Sequence, residues 1–226
     1  MVIGNGLLGT RFNSYHTDDR FLIFASGVSN SKMKNTEAYD REVDLLKKSI
    51  EAHPDKKIVY FSTCSVYDPD EISSPYVQHK LFIENIIRSH AQSYAIFRVS
   101  NVAGKTNNPN TLLNYFVYHI RHGINFDLWI NACRNIIDID EVYRIADYLL
   151  QSGQVHTEPV NIASPFNYPV KEIVAAIESF LKIRSNYIEV NKGSCFPIDL
   201  SEINSLVPSL FPEKKEGLQK ILQKYF

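Results

Sequence analysis

The sequence predicts an α/β fold: a Rossmann-like, doubly wound parallel sheet with a small C-terminal lobe. Three observations predict it. Gly4-Asn5-Gly6-Leu7-Leu8-Gly9 follows a very short apolar start at Met1–Ile3. Continuous apolar runs at Phe21–Ala25 and Ile58–Phe61 have the character of strands buried on both faces. Between them lie longer stretches with helical spacing of apolar residues. With 9 glycines in 226 residues, three at these offsets arise by chance in only about one or two chains per hundred.

In chain order, Leu7 to about Tyr15 is expected as a helix and Phe21–Ala25 as a strand ending in Ser26-Gly27. Asn35 to His53 carries Ala38, Val43, Leu45, Leu46 and Ile50 on or near one face, with Pro54 just past its end. The strand Lys57–Ser62 runs into a hydroxyl cluster, Ser62, Thr63 and Ser65, and a turn-rich bridge then leads to a helix over Tyr76–His90. Tyr94–Val99 returns as a strand, Lys105–Asn110 is a polar loop over the crevice, and Leu112–His122 is a helix ended by Gly123. Phe126–Ile130 reads as a strand, and Asp140 as the N-cap, with Glu141 in the first turn, of a helix with body Val142–Leu150. Val160–Ala163 is a short strand, Val170–Ile183 a helix, and Tyr187–Phe226 ends in a Lys-rich helix. Residues 1–164 then form the cofactor-binding core, with 105–135 contributing to the substrate side, and 165–226 the small lobe. Ligands of such sheets sit at the carboxyl ends of the strands, where Gly4–Gly9, Ala25–Gly27 and Ser62–Ser65 all fall.

The chain is 44% hydrophobic and 22% charged with a net charge of −1, which argues against nucleic acid or a membrane surface held by bulk charge. Phosphate recognition has to be local. Cys64, Cys133 and Cys195 are odd in number and form no C-x-x-C pair, so they are expected as reduced packing thiols in a cytoplasmic protein. No apolar run approaches the ~18 residues of a membrane span, and the start does not read as a signal peptide. His119-x-x-His122 has a metal-like spacing without further ligands nearby and is read as helix surface, so no metal is expected. Lys214, Lys215, Lys220 and Lys224 are read as a solvated helix face.

Chemistry concentrates between Lys57 and Lys80. If Pro75 opens a helix, Tyr76 and Lys80 stand one turn apart on one face. A neighbouring ammonium favours the phenolate, so Tyr76 is a candidate acid or base, with Thr63 able to hydrogen-bond the same substrate oxygen. Lowering a phenol by about three units takes roughly 4 kcal/mol, more than one solvated lysine supplies. Burial, or a second cation such as an oxidised nicotinamide, has to add to it. With 13 Tyr and 15 Lys in the chain, about one Tyr-x-x-x-Lys pair is expected by chance, so the pair means little alone.

Its company gives it meaning. Gly4-x-Gly6-x-x-Gly9, Phe24-Ala25-Ser26-Gly27-Val28, Val59-Tyr60-Phe61-Ser62-Thr63-Cys64-Ser65-Val66-Tyr67 and Tyr76-x-x-x-Lys80 occur in that order. Phe97-Arg98-Val99-Ser100-Asn101-Val102-Ala103-Gly104, Arg134-Asn135-Ile136-Ile137-Asp138-Ile139-Asp140-Glu141-Val142 and Val160-Asn161-Ile162-Ala163-Ser164 follow. This series resembles the extended short-chain dehydrogenase/reductase family of nucleotide-sugar epimerases, dehydratases and reductases.

The resemblance implies a nucleotide-sugar substrate, plausibly for surface polysaccharide, and NAD or NADP as cofactor. It implies Thr63, Tyr76 and Lys80 as catalytic residues, Lys80 also holding the nicotinamide ribose. Cofactor contacts would come from Gly4, Asn5, Gly6, Leu7, Leu8, Gly9, Arg11, Ala25, Ser26, Gly27 and Val99, and substrate contacts from Ser65, Asn101 and Arg134. Family 4,6-dehydratases carry Asp and Glu directly after the catalytic Thr; Cys64 and Ser65 stand there, which disfavours dehydration. Thr63 and Tyr76 are only 13 residues apart, a short bridge that suits a simple keto reduction. Phe21 comes 12 residues after Gly9, and the strand it opens resembles the family's fourth. The resemblance thus implies a sheet lacking the usual second and third strands and a C-terminal lobe for substrate. Phe21–Asn30 holds no Asp or Glu for the adenosine ribose. A non-catalytic dinucleotide- or sugar-nucleotide-binding module is therefore the alternative. A homodimer through helices 35–53 and 76–90 is also expected.

Overall fold

A computed structural model describes residues 1–28, 36–153, 157–211 and 214–226. The expected helix start at Asn35 and the side chains of Lys214 and Lys215 lie outside the described residues. In chain order the elements are β1 (Val2–Ile3), α1 (Leu7–Arg11), β2 (Phe21–Phe24), α2 (Thr36–Ala52), β3 (Lys57–Thr63), α3 (Pro75–His90) and β4 (Tyr94–Val99). There follow β5 (Asn101–Ala103), α4 (Leu112–Arg121), β6 (Phe126–Trp129), β7 (Cys133–Asp138), α5 (Ile139–Gln151) and β8 (Val160–Ile162). The chain closes with β9 (Asn167–Pro169), α6 (Val170–Leu181), β10 (Tyr187–Val190), α7 (Val207–Leu210) and α8 (Lys214–Tyr225).

The apolar runs pair as a five-stranded parallel sheet in the order β1-β2-β3-β4-β8. Alternate residues face opposite sides. Leu22, Phe24, Ile58, Tyr60 and Ile96 pack with Leu46, Ile50, Ile83 and Ile87 of α2 and α3. Ile23, Val59, Phe61 and Phe97 pack with Val142, Ile145 and Leu149 of α5. Both faces are covered, which is why these strands are apolar throughout rather than alternating.

Helices therefore cover both faces, but the strand order runs one way, and "doubly wound" is corrected in that respect. Between Gly9 and Phe21 the chain completes α1 and a single 3-10 segment, Asn13–Thr17, which leaves no length for two further strands. β1 is consequently an edge of two residues. The same segment divides the helix expected over Leu7–Tyr15.

A second core of Phe116, Ile120, Leu128, Ile173, Ile177 and Leu222 joins α4 and β6 to α6 and α8. The small lobe thus draws on residues from both sides of position 164. Its strands pair as β5-β7-β9 and β6-β10. β5 and β9 are three residues each and carry no readable pattern of their own.

Three local expectations are corrected. Asp138, not Asp140, caps α5: its carboxylate accepts from Asp140 N at 2.8 Å, while Glu141 accepts from Asp138 N at 3.1 Å. This reciprocal pair satisfies two otherwise orphaned donors. Lys224 is not merely solvated, since its Nζ lies 2.8 Å from Asp138 and 2.7 Å from Asp140. Cys133 and Cys195 are disulfide-bonded, with Cα atoms 4.7 Å apart, and Cys64 is the free, buried cysteine. Partners 62 residues apart carry no spacing signal, and the bridge removes one support for the cytoplasmic reading. Among the described residues no helix is long and apolar enough to cross a membrane.

Closing a loop of this length lowers the entropy of the unfolded chain by an amount equivalent to about 4 kcal/mol, before any native strain. Cys133→Ser should therefore lower the urea midpoint, and dithiothreitol should lower that of the wild type but not of the variant. Equal midpoints for untreated and reduced wild type would show that the bridge contributes nothing.

Candidate active site

The site is built on the exit of β3. Ser74 caps α3, its side chain accepting from Val77 N at 3.3 Å, and Pro75 occupies the first turn. Tyr76 and Lys80 consequently leave one face of the helix toward the end of β3. In the β3–β4 register Thr63 stands beside Val99. A cavity of about 460 Å³ opens over these strand ends.

Many of the residues singled out from the sequence meet there. Gly6, Leu7, Leu8, Ala25, Gly27 and Val99 line it together with Thr63, Ser65, Tyr76 and Lys80 and with Asn101 and Arg134. Gly4, Asn5, Gly9 and Ser26 do not line it. Two of these glycines serve the turn itself. A Cβ on Gly4, at φ +117°, would strike the Ala25 carbonyl, and one on Gly9 would strike the Gly4 carbonyl. Gly6 is different, because a Cβ there would meet nothing within 4 Å. The backbone at Gly6 is therefore open to a close approach. Arg11 is a correction: its Nε is 2.5 Å from Asp140 and its guanidinium lies 3.7 Å over the Tyr143 ring. It fastens α1 to α5 and does not line this cavity.

Thr63 works in both directions. Its Oγ1 accepts from Ser65 N at 3.1 Å, and its hydroxyl is hydrogen-bonded to Tyr76, an interaction that favours the phenolate. Burial outweighs this, and with the charge of Glu42 it pushes Tyr76 up to about 12. Tyr76 is thus a protonated phenol at neutral pH. The lowered phenol expected from its Lys neighbour is absent, for a reason visible at Lys80.

Lys80 is 3% exposed, and its Nζ donates to Tyr60 Oη at 2.9 Å and to Glu42 Oε1 at 3.5 Å. It lies 5.9 Å from the Tyr76 ring centroid. Its charge is engaged with Glu42, a residue the sequence reading did not select. Glu42 Oε2 also accepts from Val28 N at 2.7 Å and bonds His79 Nε2 at 3.0 Å, and Oε1 accepts from Tyr60 at 2.9 Å. Burial raises the carboxyl, but the Lys80 charge, His79 and the Val28 N–H together hold it at about 2. A signal did exist, since Glu42 shares the buried stripe of α2 with Tyr39, Leu46, Ser49 and Ile50.

Asn101 Nδ2 donates to Asn135 O at 2.8 Å, and Arg134 lies 3.9 Å from Asp68. Asp68, Glu71 and Asn135 line the cavity and were not anticipated, nor were Phe196 and Ile198, which line it too. The loop expected over the crevice supplies Thr106, Asn108 and Asn110. Cys64 donates to Arg98 O at 3.1 Å, and burial pushes its thiol up to about 12, so it packs rather than titrates. His119 and His122 bond the carbonyls of Tyr115 and Tyr118 along α4.

The open backbone at Gly6 and the Thr63, Tyr76 and Lys80 cluster fit the pyrophosphate and nicotinamide-ribose half of a dinucleotide. The adenosine half is poorly served. No carboxylate follows β2 up to Val28, and α1, at five residues, is too short to add a helix N-terminus.

A family model described as the NAD dependent epimerase/dehydratase family matches residues 21–163. No curated protein matches significantly. Among solved structures, dTDP-glucose 4,6-dehydratase from Bacillus anthracis in complex with NAD is 18% identical, with 98% of this chain and 78% of that chain aligned at a TM-score of 0.72. UDP-glucose 4-epimerase from Thermus thermophilus in complex with NAD is 14% identical over 97% and 83%, TM-score 0.68. RMD from Pseudomonas aeruginosa complexed with NADPH is 14% identical over 99% and 97%, TM-score 0.74. These likenesses establish the Rossmann-like fold. They include a dehydratase and an epimerase, so they lend no support to the expectation against dehydration.

The Glu42 carboxyl sits below its ordinary value of 4.5 in the folded protein, so its stabilisation is complete above about pH 4.5 and is lost as pH falls toward 2. About 3 kcal/mol of unfolding free energy should disappear across that window. Urea unfolding at pH 5, 4 and 3 should show about 2 kcal/mol of it lost by pH 3, and a Glu42→Gln variant should show a correspondingly smaller loss over this range.

Proposed function

The chain belongs to the NAD-dependent epimerase/dehydratase family, and on that premise we propose that it is a nicotinamide-dependent oxidoreductase or epimerase of a nucleotide-activated sugar, of the kind used in surface polysaccharide. The observation that carries this reading is the protonated Tyr76 phenol, hydrogen-bonded to Thr63 at the carboxyl end of β3 in a cavity large enough for a sugar.

The dinucleotide, when bound, gives or takes hydride at a sugar carbon. Tyr76 gives the oxygen on that carbon its proton, or takes it in the reverse direction, and Thr63 holds the same oxygen in line. Arg134, a forked cation at the cavity wall, suits the substrate diphosphate, with Asn101 beside it. The amides and hydroxyls of Thr106, Asn108 and Asn110 suit sugar hydroxyls, and Gly6, Leu7 and Leu8 suit the cofactor pyrophosphate. Solved relatives carry NAD or NADPH; among the described residues the β2 exit, Ala25 to Val28, has neither an acid nor a base to select between them.

A second reading is a binding module without turnover, favoured by the diverted Arg11 and the internally paired Lys80. The two readings part on simple measurements. Tyr76→Phe should lower kcat about 100-fold or more with KM little changed, and unchanged turnover would remove the mechanism. Thermal shift should register NAD or NADP as well as UDP- or dTDP-sugars, since a ligand at 100 times its Kd adds about 2.7 kcal/mol. Stabilisation by sugar nucleotides and by neither dinucleotide would favour the module.

A further inference from the structure

We propose that Glu42 is a positioning residue of this site, its carboxylate being the counter-charge that fixes the Lys80 ammonium in the cavity floor beside Tyr76. The inference deepens the reading just given and rests on it for the role of Lys80.

Glu42 is 2% exposed near the middle of α2 and accepts from three separate elements. The Val28 N–H after β2, the Tyr60 hydroxyl of β3, and His79 and Lys80 of α3 all converge on its two oxygens, at 2.7, 2.9, 3.0 and 3.5 Å respectively. The acceptor capacity of the carboxylate is thereby used. Gly27 closes the arrangement from the cavity side. A Cβ there would come within 2.6 Å of Lys80 Nζ and 2.9 Å of Glu42 Oε1, so the β2 exit lies directly against the pair.

Stability alone does not explain such a pair. A buried ion pair often holds two helices together no better than apolar residues of similar volume, so its presence is weak evidence for a purely stabilising role. Here Lys80 lines the cavity while its partner lies behind it. The other groups facing Lys80 cannot replace Glu42. Tyr60 and Tyr76 are protonated phenols raised by burial, and Glu84 is taken by Arg98 at 2.8 and 2.9 Å and by Ser62 at 2.6 Å. His79 is bonded to Glu42 itself and stacks on Tyr39 at 4.3 Å. Removing the charge of Glu42 would leave an ammonium deep in the protein with only the Tyr60 hydroxyl and no counter-charge, and such a group sheds its proton nearer neutrality.

The test uses Glu42→Gln, Lys80→Met and the double variant, each checked by circular dichroism. In the ligand-free protein, 15N NMR of labelled lysines should show the Lys80 ammonium titrating at least one pH unit lower in Glu42→Gln than in the wild type. In turnover, Glu42→Gln should lower kcat tenfold or more at pH 8, with the deficit shrinking toward pH 6 as Lys80 regains its proton. Adding Glu42→Gln to Lys80→Met should lower kcat no further. Should the single variant not fold, the double variant, which removes both charges, still allows that comparison. An unshifted lysine titration, a pH-independent deficit, or additive losses in the double variant would overturn the proposal. If the wild type turns over no sugar nucleotide, the functional reading fails, and the lysine titration decides the role of Glu42 independently.

Discussion

All five strands of the central sheet point the same way, and this single constraint places the site. Parallel strands must end on a common rim, so the glycine turn after β1, the Ala25–Gly27 exit of β2, Thr63 at the end of β3 and Val99 at the end of β4 arrive together. β5, β7 and the loop after β5 add Asn101, Arg134 and Asn108 to the lining of the same cavity. Each side chain need only leave its element in the ordinary direction. The convergence belongs to the sheet.

Much of this was legible because the strongest local signals coincide with the structural ones. Tyr94–Val99 and Phe21–Phe24 are strands for the plain reason that apolar runs of that length, buried on both faces, have few other homes. Ser74 and Pro75 punctuate the start of α3, and from that start the Tyr76 and Lys80 alignment follows by helical geometry.

Less was legible wherever the answer lay in a partner. β5 and β9 are strands only because β7 lies between them. The disulfide joins cysteines that no spacing relates. Asp138 and Asp140 look equivalent in sequence; Lys224, which reaches both from the far end of the chain, and Arg11, which takes Asp140, complete their different roles. Glu42 is the most instructive omission. A carboxylate on the buried stripe of an amphipathic helix is a violation of pattern, and such violations mark places where the interior holds a charge for a purpose. The Lys80 side chain was read for what it would do to Tyr76, whereas the interior had already assigned it a carboxylate.

The narrow strip of chain between the glycine turn and β2 has a kinetic implication. If a dinucleotide is held as proposed, at its pyrophosphate and nicotinamide ribose and with no acid among the described residues after β2 for its far ribose, it forgoes part of its holding energy and leaves the protein sooner. An isomerisation that returns hydride to the same sugar needs its carrier to remain through both half-reactions. A net reduction does not, because the spent carrier has to depart in every cycle. On the proposed reading, short residence would suit a carrier exchanged with bulk solution rather than one retained as a prosthetic group.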